Sequence, residues 1–180
     1  MRKVTLYIEC SSTYIGKKHR LSGYVLEYIT HGLPVTGQDF REDSGTYNQE
    51  YLLTIAEALG HMKEPCELLI CGRNRFVLNM IRDRLQIWAE HDFTSNGRPV
   101  MNQEEWQAVW EKIKQHKVSV QIGKHSYSSW LLTEMEGKRN EKPKKASETG
   151  NKDSEDTAGS GHNTDYANGS DLQEAEGISG

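Results

Sequence analysis

Cysteine is scarce in this chain and odd in number: Cys10, Cys66 and Cys71 are the three present among 180 residues, and none of their spacings suits a metal knuckle. A sparse, unpaired set points to a reducing compartment, so a cytoplasmic protein is expected. Long apolar runs are missing as well. Nothing approaches the roughly 18 residues that cross a bilayer, so no membrane partner is expected. The opening MRKVTLYIEC reads as a strand and lacks a signal peptide's apolar stretch and small-residue cleavage site. Also absent is an excess of one charge, because residues 1–136 carry 16 basic and 17 acidic side chains. Releasing counterions from phosphates supplies most non-specific nucleic-acid affinity, so any such binding has to rest on a local patch. The last shortage is of large apolar residues beyond Gly137, where only Tyr166, Leu172 and Ile178 interrupt a Gly, Ser, Asn, Asp, Glu and Lys sequence. That composition cannot bury enough surface to offset the entropy of ordering. It predicts a domain over 1–136 and a disordered tail over 137–180.

What is present alternates between two periodicities. Val4–Ile8 alternates apolar and polar residues as a strand does, and Gly23–Ile29 reads as a second. His31–Gly32–Leu33–Pro34 reads as a turn leading into a third strand over Val35–Arg41, which gives an antiparallel meander. Leu52, Ile55, Leu59 and Met62 then recur on one helical face, with Ser44, Thr46 or Asn48 as its cap and Pro65 beyond its end. CELLIC, at Cys66–Cys71, is the apolar run of a strand buried at a sheet centre. Phe76, Val77, Met80, Ile81, Leu85 and Trp88 follow a second helical pattern. Asn102 with Glu105 makes a capping box for a third helix carrying Trp106, Val109, Trp110 and Ile113. The Trp106/Trp110 pair at this spacing reads as core. Val118–Ile122 is a last strand and Tyr127–Met135 a last helix. The order βββαβααβα predicts an α/β fold: a five-stranded mixed sheet flanked by helices.

Several local stretches sharpen this reading. NGRPVMNQEEW at Asn96–Trp106, Asn48–Gln49 followed by Leu52 and Ala58–Leu59, CELLICGRNRFV at Cys66–Val77 and Lys124–His125–Ser126 occur in the order and spacing of one family. The first three quarters of the chain resembles the type 1 ribonuclease H family. The resemblance implies metal-dependent hydrolysis of the RNA strand of RNA/DNA hybrids, in which four carboxylates hold two Mg²⁺ ions and a loop histidine assists.

Carried over residue by residue, the resemblance places the first carboxylate on Glu9. The second falls on Tyr51, with Glu50 one residue early; a shifted register would bring Glu50 into place, but a shift of one residue turns a helix by about 100° and moves the apolar face. The third falls on Arg73, and no acid occurs between Glu67 and Asp83. The fourth falls on Met135, flanked by Glu134 and Glu136, and a loop shorter by one residue would favour Glu134. The candidate catalytic set is therefore Glu9, Glu50, His125 and Glu134, with Glu9, Glu50 and Glu134 as ligands for Mg²⁺ or Mn²⁺ if the site is active and no cofactor if it is not. Lys17, Lys18, Arg20, Asn48, Arg73, Arg75 and Arg98 are the candidates for contact with nucleic acid. Two functions are expected from this set: a ribonuclease H-like enzyme of weak or lost activity on hybrids, or a non-catalytic module binding nucleic acid or a protein partner in the old cleft. A proofreading exonuclease on the same fold needs an Asp-x-Glu pair that Glu9–Cys10–Ser11 does not supply.

Overall fold

The computed structural model describes residues 1–146, with side chains to Glu141. β1 (Arg2–Cys10) is the axis of the sheet. It pairs antiparallel with β2 (Lys18–Thr30), which pairs antiparallel with β3 (Leu33–Gly45). On its other side β1 pairs parallel with β4 (Cys66–Gly72), and β4 pairs parallel with β7 (Lys117–Ile122). The five-stranded order β3-β2-β1-β4-β7 matches the sequence expectation of a mixed sheet with an antiparallel meander.

The meander strands outrun their apolar patterns. β2 and β3 stay paired from Lys18↔Gly45 to Thr30↔Leu33, so the turn shrinks to His31 and Gly32. Both have positive φ, 50° and 75°, the backbone of a tight two-residue hairpin turn.

α1 (Tyr47–Leu59) packs on the sheet through Tyr51, Leu52, Ile55, Ala58 and Leu59. Thr46, one of three expected caps, accepts from the Gln49 N–H at 3.2 Å and leaves Ser44 and Asn48 free of that task. The single helix expected from Phe76 to Trp88 is two. α2 (Arg75–Asp83) ends where Arg84 leaves helical geometry at φ −129°, and α3 (Leu85–Glu90) restarts at once. The break lets Leu85 bury itself completely while Trp88 meets Trp106 edge-on at 5.2 Å. Phe76, by contrast, is exposed.

The loop that follows contains a small hairpin, β5 (Thr94–Ser95) with β6 (Arg98–Pro99), turned by Asn96 and Gly97 at positive φ. α4 (Gln103–Ile113) buries Trp106, Val109 and Ile113, and Trp110 packs partly buried against the same core, as its spacing predicts. The expected capping box is not formed. Asn102 sits in the left-handed region at φ 59° and makes no cap hydrogen bond. Glu105 instead accepts from the Gln49 side chain at 2.6 Å, tying α4 to α1.

α5 (Ser128–Ala146) covers the opposite sheet face and continues past the expected boundary at 136–137. The rest of the expected tail, 147–180, lies outside the described residues.

Candidate functional site

Parallel pairing of β1 with β4 sets their C-terminal ends side by side, with Ile8 opposite Gly72. The next residues, Glu9 and Arg73, are therefore neighbours by register. Arg73 donates from Nε at 3.0 Å and from Nη2 at 2.7 Å, both to Glu9 Oε2. Glu9 is 2% exposed, whereas the Arg73 side chain is 38% exposed. The carboxylate holds the guanidinium charged and raises its pKa, chiefly through these hydrogen bonds. Glu9 Oε1 accepts no hydrogen bond among the described residues and lies 3.5 Å from His125 Nε2.

His125 is not the exposed loop residue that a Lys-His-Ser sequence suggests. Its side chain is buried, its ring lies 5.2 Å from that of Tyr7, and its Nε2 is 3.0 Å from the Ile8 carbonyl. Nδ1 accepts from the Tyr127 N–H at 3.2 Å. An Nδ1 that accepts leaves the proton of the neutral ring on Nε2, which donates to Ile8. Both ring nitrogens are thus occupied. Tyr127 also donates its hydroxyl to Glu27 at 2.6 Å, and that carboxylate pushes the phenol pKa up to about 12.

The helix register is the one in which Tyr51 faces the site. Tyr51 is 1% exposed, and a Cβ placed on Gly72 would lie 1.7 Å from its hydroxyl oxygen. Only glycine lets the phenol reach the strand end. Burial raises the Tyr51 pKa well above that of a free phenol, with Cys10, Tyr47 and Glu9 adding to it. Glu50, one residue earlier, is also buried but lies against Gly45, 3.6 Å from Arg41 Nε. Desolvation raises its pKa despite that partner. No interaction joins Glu50 to Glu9 among the described residues. At the fourth position Met135 is 1% exposed and packs with Leu21, Val25 and Leu131, while Glu134 and Glu136 point to solvent.

The positions that the resemblance assigns to carboxylates thus hold Glu9, Tyr51, Arg73 and Met135. A divalent pair needs several hard oxygen ligands. Here one carboxylate is present, already engaged by a guanidinium, and the described residues contain no group of three His, Cys, Asp or Glu able to hold a metal. The residues do not fit Mg²⁺ or Mn²⁺.

The binding candidates divide in the same way. Lys17, Lys18, Arg75 and Arg98 are exposed. Asn48 accepts from Asn74 Nδ2 at 3.0 Å while Asn74 Oδ1 caps α2 through Val77 N–H, so this pair fastens two helix starts beside the site. Arg20 corrects the sequence reading. It is 1% exposed and donates to the carbonyls of Ser12, Tyr14, Gly16 and Gly45, so it folds the β1–β2 loop instead of facing phosphate. Two features escaped the sequence reading. Asn74 is legible as a cap ahead of an apolar helical pattern. The Tyr7–His125–Tyr127–Glu27 cluster is not, because its members are far apart in the chain.

Comparison with known proteins agrees with this architecture. The RNase H family profile matches residues 1–128. Ribonuclease H of Clostridium botulinum is 30% identical over 131 residues, covering 70% of this chain and 86% of that protein. Ribonuclease HI of Haemophilus influenzae is 32% identical over 100 residues, covering 55% of this chain and 63% of that protein. Among solved structures, a type 1 RNase H with the type 2 active-site motif is similar at a TM-score of 0.62 and 17% identity, covering 76% of this chain and 74% of that one. The N-terminal RNase H domain of a Mycobacterium tuberculosis protein is similar at 0.56 and 9% identity, covering 79% and 99%. With its sheet order, its helices and its sequence all in agreement, this chain belongs to the RNase H family.

Proposed function

We propose that this domain cleaves RNA/DNA hybrids weakly or not at all, needs no resident Mg²⁺ or Mn²⁺, and acts as a module that binds the backbone of a hybrid or another nucleic acid. The observation that carries the reading is the Arg73–Glu9 pair. The guanidinium puts positive charge where the resemblance puts a metal ligand, and it consumes the carboxylate that remains. Arginine stays protonated and pairs bidentately with phosphate. With its side chain 38% exposed, Arg73 can meet a phosphate from solvent while Glu9 holds it from below. A foamy viral protease-reverse transcriptase, 19% of whose length is similar to this chain (TM-score 0.50, 11% identity), is described in complex with RNA/DNA hybrid, which supports hybrid as the first partner to test.

The test is a labelled RNA/DNA hybrid incubated with the full chain in Mg²⁺ or Mn²⁺, read for cleavage and, by anisotropy, for binding. Binding without metal-dependent cuts is expected, with affinity reduced in Arg73→Ala. Metal-dependent cuts that disappear in Glu9→Ala would overturn the proposal.

A further inference from the structure

α5 and the β1–β2 loop together enclose a cleft of about 220 Å³, lined by Ser11, Ser12, Lys18, His19, Glu42 and Arg139 among others. It opens beside the end of β1, within three residues of Glu9. Lys18 and Arg139 reach it from different elements, and neither side chain forms an ion pair or hydrogen bond among the described residues. Both are exposed, so both charges are available. Buried Arg20 lies beneath as a third cation, fixed by its four carbonyls. The Ser11 and Ser12 hydroxyl oxygens accept from the Leu21 and Tyr14 N–H groups, which leaves their protons free to donate. The one acid in the lining, Glu42, is held by His19 Nε2 at 2.5 Å.

The sequence around Arg139 is basic, with five cations against Glu141 alone over residues 138–145. This stretch lies beyond the residues that the family profile matches, so the profile does not account for it. Near-neutral composition elsewhere requires a local patch for nucleic-acid binding, and Lys18 stands at the same end of the sheet as Arg73.

We propose that the cleft between the β1–β2 loop and α5 is a phosphate seat, in which Lys18 and Arg139 hold a backbone phosphate of nucleic acid that runs past the Arg73–Glu9 pair. The proposal rests on the binding function above. A single-charge monoanion flanked by two free cations and two hydroxyl donors is the ligand class that this lining suits.

The experiment measures anisotropy of labelled RNA/DNA hybrid and DNA duplex with the full chain across a salt series. The proteins are wild type, Lys18→Ala/Arg139→Ala, and Lys63→Ala as a distant control. Losing two phosphate contacts lowers the salt slope by about 2 and affinity roughly ten- to thirty-fold at physiological salt. That loss, with Lys63→Ala unchanged and all thermal melts superimposing, is the expected result. Wild-type binding that the double variant leaves unaltered in affinity and slope overturns the phosphate seat while leaving the binding function standing. No binding by wild type overturns both. Binding by wild type only to vesicles of anionic lipid, in a parallel sedimentation assay, also overturns the proposal.

Discussion

The two faces of the central sheet are held to different degrees. Under α1 and α4 lies a large continuous core, with Leu6, Ile8, Leu52, Ile55, Leu68 and Ile70 fully buried. Under α5 only Leu21, Val25, Leu131 and Met135 form a buried cluster, helped by Tyr7, Phe40, Tyr127 and Leu132 at its edge. Each face has absorbed one position that the resemblance assigns to a carboxylate. Tyr51 joins the large core and Met135 the small one. Both positions are therefore taken by packing side chains, and a carboxylate restored at one of them alone leaves the other filled.

This contrast can be broken in graded ways. Tyr51→Glu removes a buried ring and places a second carboxylate near Glu9, so it is expected to cost about 5 kcal/mol; a urea melt reads it, and a stable variant would contradict the packing role. Leu52→Ala on the large core is expected to cost about 4 kcal/mol, and Leu131→Ala on the small cluster about 2 kcal/mol. Equal losses in the two denaturation curves would erase the difference between the faces. Arg73→Ala strands the buried Glu9 carboxylate, but water reaches the vacated site, so about 1–2 kcal/mol is expected, with Glu9→Gln/Arg73→Ala recovering part of it.

The smallest effect concerns pH. His116 Nδ1 accepts from the Cys66 N–H at 3.1 Å, and burial lowers the pKa of the ring. Below its usual 6.5 the unfolded chain binds the proton more readily than the folded one, so stability falls as pH drops through that range. His116→Asn keeps an acceptor without titrating and is expected to flatten that limb of a stability–pH curve.

Much of the fold was legible because it rests on periodicity. The apolar steps of α1 chose the register that sends Tyr51 to the site and turns Glu50 toward Arg41. Arg73 was legible from its place directly after an apolar strand. Other features depend on contacts that no local pattern encodes. Lys17–Lys18–His19–Arg20 reads as one solvated basic run, and only the loop carbonyls closing around Arg20 separate it from its neighbours. His125 reads as a loop histidine, yet Ile8, 117 positions away, holds its ring. Asn96–Gly97 is a two-residue hairpin signal, and the structure turns β5 into β6 on it with both residues at positive φ. The helical continuation to Ala146 runs through a Lys-rich composition that resembles a tail when only apolar content is counted.

A guanidinium, that of Arg73, stands where the resemblance places a metal ligand. Paramagnetic broadening of backbone amide signals by Mn²⁺ tests it most directly. The Ile8–Cys10 and Gly72–Asn74 amides are expected to keep their intensity at millimolar Mn²⁺ in the wild-type chain. Selective, saturable broadening of those two strand ends, relieved by Mg²⁺, would contradict it.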